Sequence, residues 1–191
     1  RMTRRTFLKH SARSAAGALW LGAVARSRSA SPNEKLNIGV IGVAGRGGDD
    51  LAGVSSQNIV ALCDVDEKNL AFAAQKYPRA TTYHDFRRMM DQKEIDAIVI
   101  GTPDHTHAVA AVAALQSGRH VYCEKPLTRT VSECRIVTDL AKKQQRVTQI
   151  GTQIHAGANY RRAVEIVQGG VIGKVAEVHV WVNARYGGMD L

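Results

Sequence analysis

Cysteine is scarce in this chain: Cys63, Cys123 and Cys134 are the only three among 191 residues, and no two form a C-x-x-C pair. An odd count at wide spacing argues against a disulfide scaffold or a zinc knuckle. Cys63 and Cys123 sit in apolar runs and read as buried free thiols. Aromatic residues are only 5% of the chain, and no basic patch is interleaved with them, which speaks against nucleic-acid recognition. The longest charge-free stretch near the start, Ser14–Ala25, falls short of the roughly 20 apolar residues that span a bilayer. Internal repeats and low-complexity segments are absent too. What remains is an ordinary globular composition, 45% hydrophobic and 23% charged. Its length suits one domain and a piece of another.

Acidic residues are outnumbered 17 to 26, a formal charge of +9. That excess is local. Residues 1–35 carry Arg1, Arg4, Arg5, Lys9, Arg13, Arg26, Arg28 and Lys35 against Glu34 alone, a balance of +7 that leaves +2 for the rest. Within this leader, TRRTFLK (residues 3–9) resembles the bacterial twin-arginine export signal. Ser14–Ala25 fits its apolar core, and Ala23-Val24-Ala25 offers a small-residue cleavage site. The alternatives are a basic tail or an uncleaved anchor. The expectation is export to the periplasm, with the twin-arginine translocase as partner. That route carries folded proteins, so a cofactor can be loaded before export. Residues 1–35 are therefore set apart as signal and linker.

From Leu36 the pattern alternates. Apolar runs predict strands at Leu36–Gly42, Asn58–Asp64, Thr81–Tyr83, Ala97–Gly101, His120–Cys123 and Val147–Gly151. Between them, helical spacing appears up to about Val54, over Glu67–Lys76, around Phe86–Met90, over His107–Gln116, and from the capping box Thr130-Val131-Ser132-Glu133 to about Gln144. Near-continuous apolar strands alternating with helices predict a doubly wound parallel α/β sheet, the Rossmann type, over 36–151. Beyond it, Asn159–Gln168 reads as a helix and Lys174–Asn183 as an alternating, half-buried strand. Residues 152–191 are thus expected to open a second, α+β substrate domain that looks truncated. A chain ending there is expected to bind cofactor weakly and to turn over nothing alone.

The first turn is Gly42-Val43-Ala44-Gly45-Arg46-Gly47. A dinucleotide site needs glycine at the tight turn, where backbone meets diphosphate, and where helix packs on strand. Gly42 and Gly47 fill the outer places. Ala44 takes the middle one, with Gly45 beside it to restore close backbone approach. Free N–H groups at the helix N-terminus complete an anion site. Asp64 ends the second strand 22 residues after Gly42, where a carboxylate holds ribose hydroxyls. Its other possible use is as N-cap of the next helix, a part Asp66 could also play. A carboxylate there repels a 2′-phosphate, so NAD is expected over NADP.

Two further strand ends carry polar turns: Gly101-Thr102-Pro103-Asp104-His105-Thr106-His107 and Cys123-Glu124-Lys125-Pro126-Leu127. The carboxyl ends of parallel strands line the ligand crevice, so both turns, Asp104 included, should meet the glycine loop. With HVYCEKPLT and GTQIHAGANYRR in order behind TPDHTH, the chain resembles the Gfo/Idh/MocA oxidoreductases over about residues 36–190. The resemblance implies a Rossmann domain followed by an α/β domain with an open sheet, and sugars, polyols or their relatives as substrates. It implies that Thr102, Pro103 and His107 line the cofactor, and that Glu124 and Lys125 reach nicotinamide and substrate. His155 stands where many members carry Arg, and with Tyr160 it is the substrate-side candidate. Ala44 departs from the usual Gly, and the second-domain motif that supplies a catalytic Asp and His is not in this chain.

Lys125 is the catalytic candidate on chemical grounds as well. Oxidising an alcohol takes hydride from carbon and a proton from oxygen, and a cation beside that oxygen stabilises the alkoxide. Burial and neighbouring cations would bring an ammonium towards proton exchange; Glu124 could orient it. His105 and His107 form an H-x-H, but no matching ligand set recurs at later strand ends, so no metal is expected. His84, His120 and His179 read as core or surface residues. Two other readings stay open: a relative that retains NAD and cleaves glycosides without net redox, and a non-catalytic, truncated sugar-binding homologue. The full-length protein has room to be a homo-oligomer.

Overall fold

The structure is a computed structural model and describes residues 35–181. The twin-arginine segment and its cleavage site lie outside the described residues. Six parallel strands form one sheet: β1 (Asn37–Ile41), β2 (Asn58–Cys63), β3 (Thr81–Tyr83), β4 (Ala97–Ile100), β5 (His120–Glu124) and β6 (Thr148–Gly151). Their spatial order is β3-β2-β1-β4-β5-β6. The direction of travel reverses between β1 and β4, so the two chains leaving these strands diverge and open a crevice at their carboxyl ends. This is the Rossmann arrangement expected from the alternating runs.

Helices α1 (Arg46–Gly53), α2 (Glu67–Lys76), α3 (Phe86–Met89), α4 (Asp104–Gln116) and α5 (Val131–Gln144) cover the two faces; α6 (Gln153–Ala156) and α7 (Ala158–Gln168) follow the last strand and bury no residue. Successive strand residues point to opposite faces, which divides the core in two. Ile38, Val40, Ile59, Leu62 and Val99 pack with Leu51 of α1 and with Leu70 and Ala73 of α2. Ile41, Ala61, Cys63, Ile98, Ile100, Val121 and Cys123 pack with the small face of α4 (Ala110, Ala111, Ala114) and with Val137 of α5. Alanines on α4 let the helix lie close to the sheet, and this fixes the height of its first turn at the crevice. Burial pushes the thiols of Cys63 and Cys123 up to about 12, consistent with inert core cysteines.

Local signals set the ends. Asp66 caps α2, accepting from the N–H groups of Lys68 and Asn69. Thr130 and Glu133 form the expected capping box on α5. Three expectations need correction. Helix α4 starts at Asp104 rather than His107, because Pro103 supplies a preset φ just before the helix and Asp104 suits its positive first turn. A short helix, Gln153–Ala156, precedes α7 and was not foreseen. Residues 174–181 form no strand, and Val178, Val180 and Trp181 are at least 75% exposed. Alternation marks which face a strand would bury, but a strand also needs a neighbour to pair with. Among the described residues none pairs with this segment; residues 182 and 183 lie outside them. No described helix is long and apolar enough to cross a membrane.

Candidate functional site

Four strand ends meet at the crevice, each tied to the next. Gly42 adopts φ +81°, and its N–H donates to the Cys63 carbonyl at 2.8 Å, joining the turn after β1 to β2. A Cβ on Gly42 would sit 2.8 Å from the Gly101 carbonyl carbon, and one on Gly47 would collide with the Gly42 carbonyl. Glycine is required at both because backbone passes backbone there without room for a side chain. Gly101 is the third member of this contact: a side chain on it would strike the Gly47 main chain. Its importance escaped the sequence reading, where it looked like a plain strand end.

The glycine turn leads into α1 with no side chain capping its N-terminus. Gly45 precedes the helix with φ +52° and open space around it. Ala44 in the middle position is therefore followed by a bare main chain that an anion can approach, and the uncapped N–H groups lie beneath it. This cradle fits a diphosphate. Asp64 reaches the same turn: one carboxylate oxygen accepts from the Val43 N–H at 2.9 Å and the other from the Asp66 N–H at 2.9 Å. Asp66, not Asp64, is the N-cap, so the carboxylate of Asp64 keeps lone pairs for hydroxyl groups at the mouth of the crevice.

Beside the start of α1 lies a polar cluster around two buried carboxyl groups, which the sequence reading did not assemble. Arg46 Nε approaches Glu124 Oε1 at 3.4 Å, and a terminal guanidinium nitrogen approaches Asp50 Oδ1 at 3.3 Å. Glu124 is 3% exposed. Its Oε1 also accepts from the Tyr122 hydroxyl at 3.1 Å and from the Gln153 amide. Gly151 makes room for this carboxylate, since a Cβ there would overlap it. Asp50 is equally enclosed, and its Oδ2 has no partner. Two buried carboxyl groups thus face one half-exposed guanidinium. Burial and the neighbouring Glu124 charge push Asp50 up to about 6, against the pull of Arg46. Burial also opposes ionisation of Glu124. The bonds from Tyr122, the Lys125 N–H and Arg46 outweigh it and hold Glu124 below the ordinary range. Below about pH 6 the proton of this pair therefore sits on Asp50, while Glu124 keeps its charge. Asp50, Tyr122 and Gln153 carried no readable signal: an acid inside a helix, a strand residue and a residue past the sheet meet only in the fold.

The remaining candidates divide. Thr102, Pro103 and Asp104 lie at the β4 turn, where the Thr106 hydroxyl donates to the Thr102 hydroxyl at 2.7 Å. Lys125 stands at the adjacent β5 turn and is exposed, so the expected buried ammonium is not met within the described residues. Nor does Glu124 orient it; that carboxylate turns inward to Arg46. His107 does not line the crevice either. It is 1% exposed and bonded to main-chain carbonyls on both sides, because the start of α4 tucks its fourth residue against the sheet. His155 and Tyr160 are exposed on α6 and α7 and pack edge to face, ring centroids 4.7 Å apart. Among the described residues no three His, Cys, Asp or Glu side chains gather as a metal site. The arrangement can hold a diphosphate over α1, hydroxyl groups at Asp64, and a cation at the far wall.

Comparison with known proteins agrees with this architecture. Residues 36–152 match the family described as Gfo/Idh/MocA, oxidoreductase family, NAD-binding Rossmann fold. An inositol 2-dehydrogenase of Salmonella typhimurium is 32% identical over 150 residues, covering 75% of this chain and 45% of the relative. A glycosyl hydrolase family 109 protein of Shewanella pealeana is 27% identical over 203 residues, covering 92% of this chain and 44% of that one. The crystal structure of myo-inositol 2-dehydrogenase from Lactobacillus plantarum superposes with a TM-score of 0.70 at 29% identity, over 74% of this chain and 43% of that one. The chain thus spans somewhat less than half the length of these relatives.

Proposed function

Because the chain belongs to the Gfo/Idh/MocA oxidoreductase family, we propose that it is the cofactor-binding part of an NAD-dependent oxidoreductase acting on a sugar, polyol or related hydroxyl compound. The observation that carries this reading is the junction of Asp64 with the glycine turn over the uncapped start of α1. It puts a diphosphate cradle and a hydroxyl acceptor side by side. NAD, when bound, supplies the hydride acceptor. The chain's own residues do the rest: Gly42, Gly45 and Gly47 admit the diphosphate, and Asp64 orients the ribose and disfavours a 2′-phosphate. Lys125 faces the substrate oxygen as a cation that stabilises developing negative charge. His155 and Tyr160 belong to the substrate side.

The test is to titrate the full-length protein with NADH and NADPH by fluorescence, then follow absorbance at 340 nm after adding NAD and myo-inositol. NADPH binding tighter than NADH would overturn the cofactor reading. The match of a family 109 glycosyl hydrolase to 92% of the chain favours a second reading, glycoside cleavage on retained NAD. Glycoside breakdown with no accumulating absorbance at 340 nm would select it. The paired Arg4 and Arg5 support export to the periplasm through the twin-arginine translocase.

A further inference from the structure

His107 sits one turn into α4, beneath the crevice rather than in its wall. Its Nδ1 lies 2.6 Å from the Pro126 carbonyl oxygen, and its Nε2 lies 2.7 Å from that of Thr102. One buried ring therefore joins the turn after β4 to the turn after β5, and the second of these carries Lys125. That second turn has few other ties. Pro126 has no N–H to donate. Beyond the strand pairing and the packing of the Leu127 side chain against the core, the polar ties of residues 125–127 are a 3.4 Å bond from the Lys125 N–H to Glu124 and a 3.9 Å thiol contact from Cys123 to the Leu127 carbonyl. The contact from His107 is far shorter than either, and it comes from a helix packed down on the sheet core.

Resting on the oxidoreductase reading above, we propose that His107 is a positioning residue for Lys125, holding the turn next to it by donating from Nδ1–H to the Pro126 carbonyl. Carbonyl oxygens only accept. A ring with both protons donates to both turns. A ring with a single proton satisfies the proposal when that proton is on Nδ1. Displacing a reacting group by an ångström costs on the order of 100-fold in rate, so the effect should fall on kcat rather than on cofactor binding.

Two amide substitutions separate the ends of the ring. The amide nitrogen of His107→Asn replaces Nδ1 and keeps the bond to Pro126. That of His107→Gln replaces Nε2 and keeps only the bond to Thr102. In the full-length protein, with NAD and myo-inositol as probes, His107→Gln should lose about 10-fold or more in kcat, and His107→Asn should stay within about 3-fold of wild type. Both should keep NADH affinity within about 3-fold. Equal kcat losses in the two variants would overturn the proposal, since a merely structural histidine would not distinguish them. Nitrogen-15 spectra of the histidine rings give a readout independent of turnover: Nδ1 of His107 should carry a proton, and a bare Nδ1 would overturn the proposal. If wild type binds no NADH, the oxidoreductase reading fails instead, while the ring spectrum still decides whether His107 holds the turn.

Discussion

Asp50→Asn should make the protein less sensitive to pH. In the folded chain the Asp50 carboxyl is 7% exposed, its Oδ2 is unpartnered, and its Oδ1 meets Arg46 at 3.3 Å. Burial and the Glu124 charge raise it from 3.8 to about 6. The folded state then binds its proton more tightly than the unfolded state, so the Asp50 contribution to stability is greatest below about pH 4 and is lost as pH rises through about 6. A shift of about two units corresponds to a ceiling of about 3 kcal/mol; rearrangement of the half-exposed Arg46 will lower it. The carboxamide of Asn has no charge to lose and can donate to Glu124. Urea unfolding of wild type and variant at pH 4, 5, 6 and 7.5 isolates the term, because other titrations cancel in the difference. The variant should gain on wild type by about 1–3 kcal/mol between pH 4 and 7.5. A difference that stays flat, or moves the other way, would refute the proton assignment. NADH binding by the variant should persist, as the diphosphate cradle is main chain.

Replacing Asp64 by Ala should narrow the preference for NADH over NADPH, measured as the ratio of their Kd values, by about 10-fold or more, since a ribose hydrogen bond to a charged group contributes about 1.5–3 kcal/mol; an unchanged ratio would remove Asp64 from the site. Gly47→Ala drives a methyl into the Gly42 carbonyl, so its melting temperature should fall in proportion to a loss of at least about 1–3 kcal/mol, and NADH binding should fall with it. Lys125→Ala should cut kcat by about 10²–10⁴-fold while leaving NADH affinity within a few-fold. Parallel loss of both would point to a cofactor-binding role instead. Changing Arg4 and Arg5 together to Lys should strand the protein in the cytoplasm on fractionation, and continued export would reject the signal.

The strands were legible because a buried parallel strand has apolar residues on both faces, and runs such as Asn58–Cys63 and Ala97–Ile100 can be little else. Glycine spacing and the acid at Asp64 marked the dinucleotide turn because both requirements are local: a turn with positive φ, and a strand length that delivers a carboxylate beside it. The limits of that reading show at His107 and Glu124. Glu124 does end β5 and His107 lies one turn into α4, just past the end of β4, yet both side chains point inward. Inward or outward depends on which helix face meets the sheet, and a motif does not encode that. Lys174–Trp181 shows the opposite failure: a clear alternating pattern whose pairing depends on residues elsewhere.

Taken alone, the sequence determined the six strands, the helices between them, the glycine turn and the acid that ends β2, since each is marked by a pattern within its own segment. Only the tertiary structure decided that Arg46, Asp50, Tyr122, Glu124 and Gln153 meet in one polar cluster, that Gly101 must be bare, and that one histidine bridges two turns. Those contacts join residues up to 78 positions apart, as Arg46 and Glu124 are. Such distances close only when the hydrophobic core has packed α1 and α4 against their strands, and until then no local pattern distinguishes a buried polar group from a solvated one.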